Sequence, residues 1–461
     1  MVSTLPPSPK APTLVQLVRW IFDPLGYMES SRQECGDTFQ ARIGRNYDQL
    51  TFIGDPKLIQ ELLSDDTNRF NAGKANHLLR ILVGDYSLLL LDGDRHQRHR
   101  KLLMPPFHGE RMKAYGQIMV NIAQSVSDRW QVGKPFEVRL EMQKIALQVI
   151  LHAVFGLEEG DRAEAIQREL SAVLDSIGSP LSSTLLFFKF LQKDWGPWSP
   201  WGRLLRQQQR ITEMLYAEIA ERQAEGESDR VDILSLLLAA RDEAGEPMTQ
   251  QEVRDELMTL LLAGHETTAS ALGWALYWIH RDPAVRDRLL AELASVAGTT
   301  DPMAIARLPY LTAVCQETLR LYPIAMIVSP RVTKEPYTLG PYQFRAETPL
   351  APCIYLTHHR EDLYPEPKRF RPERFLERQF SPYEYLPFGG SNRLCIGAAF
   401  AMFELKLVLA TLLQRYDLKL TSDRDLRPTR RGVTAAPPAQ LRMVVTQARS
   451  PQANPEAVAV R

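Results

Sequence analysis

Between Met248 and Asp282 the chain holds no proline, and the stretch opens on Thr249-Gln250-Gln251-Glu252. Thr followed three residues later by Glu is a capping box, in which each side chain accepts from the other's backbone amide. It predicts a helix that runs to about His280, before Pro283. At 1.5 Å per residue that helix is roughly 45 Å long, enough to cross a whole domain. The stretch Leu257–Ile279 is also the most apolar long segment of the chain, but His265, Glu266, Thr267 and Thr268 interrupt it. Charge at a bilayer centre is costly, so the reading is a buried core helix and not a membrane span.

The remaining chain fits one body around that helix. Its 461 residues would suggest about three domains by size, yet no internal stretch reads as a linker and no repeat is visible. From about Leu58 to Trp278 apolar residues recur at three- and four-residue spacing, as at Ile145, Val149, Ile150 and Val154. A hairpin is expected from Phe39 to Ile53, strands and turns from Arg331 to Leu350, and strands again from Leu418 to Val445. Strands do not alternate with helices, which disfavours a doubly wound sheet. The predicted class is mainly α with small β sheets, in a single domain over 13–448. Residues 1–12 are read as a proline-rich N-terminal segment, and 449–461 are expected to form a flexible tail.

Lys plus Arg and Asp plus Glu are 55 each, so the net charge gives no pull toward nucleic acid or membrane. Cys35, Cys315, Cys353 and Cys395 are far apart, without a C-x-x-C pair, which argues against a disulfide framework or a zinc site. The N-terminus has no charged leader followed by an apolar run. A soluble cytoplasmic protein without a transmembrane anchor is expected.

The sharpest local signal is Phe388-Gly389-Gly390-Ser391-Asn392-Arg393-Leu394-Cys395-Ile396-Gly397. Glycine-rich backbone turns tightly and can approach a flat ligand. Cys395 stands where an apolar helix begins, and unpaired N–H groups at a helix N-terminus favour a thiolate. Arg393 can offer a guanidinium to a carboxylate. This string resembles the haem-binding loop of the cytochrome P-450 family, except that Ser391 stands where the family usually has Gly. The resemblance implies the mainly α triangular-prism fold, haem b with its iron on Cys395, and Phe388, Arg393 and Gly397 as cofactor contacts.

The middle of the long helix, Ala263-Gly264-His265-Glu266-Thr267-Thr268, resembles the oxygen-activating motif of the same family. That makes Thr267 and Glu266 the catalytic pair for proton delivery and sets Ala263 and Gly264 against the haem. His96 and Arg100 share one helix face at i, i+4, and with Arg331 they resemble the family's propionate contacts. Glu317, Arg320 and Arg374 resemble its structural ion network.

The resemblance implies a monooxygenase that inserts one atom of O2 into a C–H bond, with electrons from an external ferredoxin- or flavodoxin-type donor. Arg95, Arg98, Lys101 and Lys406 are candidates for a basic docking patch, with solvated surface charge as the equal alternative. The expected substrate is a hydrophobic small molecule, a long-chain fatty acid or terpenoid. Its expected lining is Leu78, Leu82, Val83, Leu88, Leu185 to Phe188, Ala263, Ile327, Val328 and Val433. Arg42, Arg45 and Tyr47 could meet a substrate carboxylate, although ordinary surface roles are the favoured reading. The alternatives are a peroxide isomerase or dehydratase of the same fold, or a non-enzymatic haem sensor or carrier.

Overall fold

The computed structural model describes residues 5–43, 49–65, 69–107, 109, 111–156, 160–178, 191–225, 230, 232–299 and 301–449. The long helix spans Gln250–Arg281. Both halves of its capping box are formed: Thr249 N donates to Glu252 Oε2 at 2.8 Å, and Glu252 N donates to Thr249 Oγ1 at 3.2 Å. Asp282 ends it and caps the helix Pro283–Ala294 through Ala284 N and Val285 N.

This helix is the spine of the body. It packs on Val138–Phe155, on Ala398–Arg415 (the cysteine helix) and on Pro309–Leu321. Close approach to the first needs a glycine: a Cβ at Gly264 would lie 2.9 Å from Ile150 Cδ1. Trp274, Leu257, Leu261, Leu272 and Leu276 are fully buried in the main apolar cluster. That burial accounts for a helix that is apolar on almost every side. Among the described residues no helix is long and apolar enough to cross a membrane.

The sheets are small and peripheral. One has five strands in the order β1-β2-β8-β5-β3, namely Thr38–Ala41, Leu50–Ile53, Pro349–Pro352, Arg331–Thr333 and Phe70–Asn71. Strands β1 and β2 pair antiparallel, Thr38 with Ile53, as the hairpin expected there requires. Strand β8 runs parallel to β2, with Leu350 beside Thr51. A second sheet orders β4-β12-β9: Pro135–Glu137, Arg442–Ala448 and Tyr416–Leu420. Hairpins β6/β7, at Tyr337–Leu339 and Tyr342–Phe344, and β10/β11, at Thr429–Arg431 and Thr434–Ala436, complete the set among the described residues. The described residues thus make a mainly α body with small sheets, its main apolar cluster centred on the long helix and smaller clusters beneath the sheets.

Candidate active site

Cys395 lies three residues before the cysteine helix, in a loop held by its own backbone. Cys395 N donates to Phe388 O at 3.0 Å and Leu394 N to Ser391 O at 3.1 Å. Gly389 has φ +75 and Ser391 φ +59, so this turn uses the left-handed region twice, once with a residue that pays for its Cβ there. The thiol is accessible, yet surrounding protein raises its pKa by desolvation, against the Gly397 amide and Arg100, which lower it. The helix-terminus field expected to hold a thiolate is therefore outweighed by burial, and a bound metal cation would supply the missing stabilisation.

The polar notch of the long helix is also accessible. Ala263 is exposed and Leu262, Gly264 and Thr267 are half-exposed, while the turns on either side are buried. Thr267 Oγ1 donates back to Ala263 O, which diverts the hydroxyl into its own helix. Glu266 points elsewhere. Its Oε1 lies 3.0 Å from Arg431 Nε, and its Oε2 accepts from Gln143 Nε2 at 2.5 Å. Gln143 in turn accepts from Arg139 at 3.0 Å, and Arg139 also donates to Glu137 at 3.0 Å. Nothing in the sequence marked Gln143 or Arg431, because their meeting with Glu266 joins three segments far apart in the chain.

Cations converge beside the cysteine loop. His96 is buried and its pKa is lowered to about 3, by desolvation first and then by Arg393, Arg100 and Arg331. Arg331 is fully buried, donating to Ser329 O at 2.7 Å. Arg100 donates to Leu394 O at 2.7 Å. Arg393 donates to Leu91 O at 2.6 Å and to Asp92 Oδ1 at 2.7 Å. Asp92 also accepts from Ala72 N and Gly73 N, at 2.8 and 2.9 Å, so it ties the loop before Lys74 to the cysteine loop. Three guanidinium groups less one carboxylate leave two positive charges around a neutral histidine, the complement of two propionates. With the accessible thiol, this donor set fits a haem.

The ion network is assembled and sealed. Arg320 donates to both oxygens of Glu317, Nε at 2.6 Å and Nη2 at 2.9 Å, and Arg374 Nε donates to Glu317 Oε1 at 3.0 Å. Glu317 and Arg320 are fully buried. His358 extends it: its Nε2 accepts from Leu386 N at 3.0 Å, which leaves Nδ1 to donate to Arg320 O at 3.2 Å. Leu386 is two residues before Phe388, so a single buried histidine connects the network to the cysteine loop.

A profile of the cytochrome P-450 family matches residues 6–443. The chain belongs to the cytochrome P-450 family. The Mycobacterium tuberculosis protein designated cytochrome P-450 135B1 is 36% identical over 457 residues, covering 99% of this chain and 94% of its own length. The protein designated cytochrome P-450 138 from the same organism is 32% identical over 439 residues, 95% of each. The crystal structure of the cytochrome P-450DA heme domain matches with a TM-score of 0.85 at 26% identity, covering 98% of this chain and 99% of that one. The retinoic-acid-bound cyanobacterial CYP120A1 shares the fold, with a TM-score of 0.83 at 24% identity over 97% of this chain and 100% of its own. Family membership makes the chain a haem-thiolate monooxygenase that carries haem b, takes O2 as co-substrate and draws electrons from a separate redox partner.

Within this cytochrome P-450 fold the expected lining residues divide. Ala263 and Val433 are accessible, and Leu78 and Ile327 are half-buried. Leu82 and Val83 instead pack with Val173 and Leu204, Leu88 belongs to the main core, and Val328 packs with Phe70 and Leu350. Leu185 to Phe188, Arg45 and Tyr47 lie outside the described residues, and Arg42 is exposed. The expected basic patch needs correction. Arg98 is bound to Asp242 and Glu252 at 2.6 and 3.2 Å, Lys101 to Glu243 at 2.6 Å, and Lys406 to Ala306 O at 2.6 Å. Arg95 lies over the Tyr86 ring. The acidic turn before the long helix thus pairs with Arg98 and Lys101, a pairing that the one-dimensional charge count hides.

Proposed function

We propose that Cys395 is the thiolate ligand of the haem iron and that Thr267 and Glu266 manage protons for oxidation of a hydrophobic small molecule. The observation that carries this is the accessible, desolvated thiol of Cys395 beside the cation cluster of Arg100, Arg331 and Arg393. When bound, haem supplies the iron at which O2 is reduced, so that one oxygen enters a C–H bond and the other leaves as water.

The chain's own residues supply the rest. His96, Arg100, Arg331 and Arg393 hold the propionates, with Asp92 keeping the Arg393 guanidinium in place. Phe388, Gly397, Ala263 and Gly264 bound the two faces of the cofactor. The Thr267 hydroxyl turns from Ala263 O to hold a water or proton at the reacting oxygen, and Glu266 leaves its clamp to pass protons inward. Glu317, Arg320 and Arg374 brace the cysteine loop through His358.

For substrate we propose a long-chain fatty acid or a terpenoid, supported by the apolar accessible groups Ala263 and Val433. A ferredoxin- or flavodoxin-type protein is the proposed electron donor. The cytoplasm is the proposed location, consistent with four cysteines that are all free. The catalytic body is proposed to span 13–448, from the first helix at Thr13 to the end of β12 at Ala448.

The test is the absorption spectrum of the dithionite-reduced protein with carbon monoxide. A Soret band far to the red establishes the thiolate, and Cys395→His shifts it to the histidine-ligated position. A wild-type band already at that position would overturn the assignment of Cys395. Palmitate and a sesquiterpene, added separately, then sort the substrate class by the low-to-high-spin change.

A further inference from the structure

The first helix, Thr13–Phe22, breaks the rule by which surface helices are built. Its inner side buries Gln16, Trp20 and Ile21. Its outer side carries Leu14, Val15, Val18 and Phe22, which are 68, 45, 46 and 55% exposed. At about 100° per residue these four fall within an arc of roughly 100°, so they form one continuous apolar face. A helix apolar on both sides is normally buried on both. Leu5, 54% exposed, adds to the apolar surface of this segment.

A second copy of the chain is a poor cover for this face. A ten-residue helix is about 15 Å long. Four side chains along it offer about 400 Å², roughly half of what each partner buries in a stable complex. The charge pattern points elsewhere. From Leu5 to Phe22 there is no Asp or Glu, and the two charged residues are Lys10 and Arg19, both exposed. Arg19 lies at the edge of the apolar face, with Nη2 donating to Ser30 Oγ at 2.9 Å. Two carboxylates of the adjoining helix segment are turned to backbone: Asp23 accepts from Gly26 N at 3.1 Å and Glu34 from Lys10 N at 3.0 Å.

We infer that this helix lies on the surface of an anionic phospholipid bilayer, with Leu14, Val15, Val18 and Phe22 among the acyl chains and Lys10 and Arg19 at the phosphates. Its position in the fold gives the contact a use. Arg430 Nη1 donates to Trp20 O at 2.6 Å, and the guanidinium sits 4.8 Å from the Trp20 ring. Arg430 belongs to the β10/β11 hairpin, whose turn carries the accessible Val433. Docking therefore brings a wall of the proposed substrate space beside the phase in which apolar substrates dissolve. This contact does not depend on the identity of the iron ligand or of the substrate.

The experiment is co-sedimentation of the full-length holoprotein with vesicles of equal phosphatidylglycerol and phosphatidylcholine, and with phosphatidylcholine alone. The expected result is binding to the anionic vesicles that falls about tenfold on pure phosphatidylcholine and again in the double variant Val18→Asp/Phe22→Ser. The variant's Soret spectrum and melting temperature, with both sites exposed, verify that it is folded. Equal sedimentation of wild type and variant would overturn the inference. So would a wild-type dimer by light scattering that the variant converts to monomer, which would assign the face to a second copy.

Discussion

Arg431 Nε lies 3.0 Å from Glu266 Oε1, and the pair joins the β10/β11 hairpin to the polar notch of the long helix. Glu266 is 7% exposed, so the interaction is formed largely out of water. Losing one partner leaves a buried charge uncompensated, which typically costs about 3 kcal/mol. Arg431→Ala is expected to destabilise by that order, Glu266→Gln by less, and the double variant by less than their sum. Urea denaturation of all four proteins measures the coupling. Additivity within about 0.5 kcal/mol would show that the pair contributes nothing of its own.

Thr267→Ala is expected to keep haem and the reduced-carbon-monoxide spectrum while product per NAD(P)H falls and hydrogen peroxide rises. The reason is local: the variant removes one hydroxyl from a half-exposed helical position and leaves the backbone undisturbed. Unchanged coupling in a peroxide assay would remove Thr267 from proton delivery.

Ser391 tests the backbone of the cysteine loop. At φ +59 an L-residue is strained by about 1 kcal/mol, which glycine avoids at some cost in unfolded-chain entropy. Ser391→Gly is expected to be neutral or stabilising by up to about 1 kcal/mol, and Ser391→Val to lose about 2 kcal/mol because β-branched residues fit this region worst. Denaturation followed at the Soret band separates the two; a stabilising valine would show that the turn is not left-handed in solution.

Removing Glu317 strips Arg320 and Arg374 of their shared carboxylate inside the protein. A loss of about 3–5 kcal/mol follows from breaking a buried ion network. Glu317→Ala is expected to give poorly folded protein with little haem, read from the Soret-to-protein absorbance ratio. Normal haem content would refute a bracing role.

His358 has a pH signature. Unfolded histidine titrates near 6.5. In the fold, desolvation and then Arg320 lower it to about 3. Between those values the unfolded chain binds a proton that the native chain does not, so stability falls as pH drops below about 6.5, by about 1.4 kcal/mol per pH unit. His358→Gln is expected to flatten that slope by about one proton between pH 6 and 4.5. Identical slopes by urea denaturation at several pH values would show that His358 titrates normally in the fold.

The order of motifs, the capped long helix, the cysteine loop and the E-x-x-R pair were all legible in the chain because each is encoded within ten or so consecutive residues. Local hydrogen bonding and helical periodicity need no distant partner. The sequence alone therefore determined the fold class and marked Cys395, Glu266 and Thr267 as candidates for the chemistry, with Glu317 as a candidate brace. Tertiary structure alone decided what those residues touch. Glu266 meets Gln143 and Arg431 across 123 and 165 positions, Asp92 meets Arg393 across 301, and His358 links Arg320 to Leu386. The same packing moved Leu82, Val83 and Leu88 into the core and neutralised Arg98 and Lys101. Apolar residues and charges are read in one dimension as surfaces waiting for partners, and only the folded chain fixes which partner arrives, since burial and Coulomb attraction act across space without regard to sequence separation.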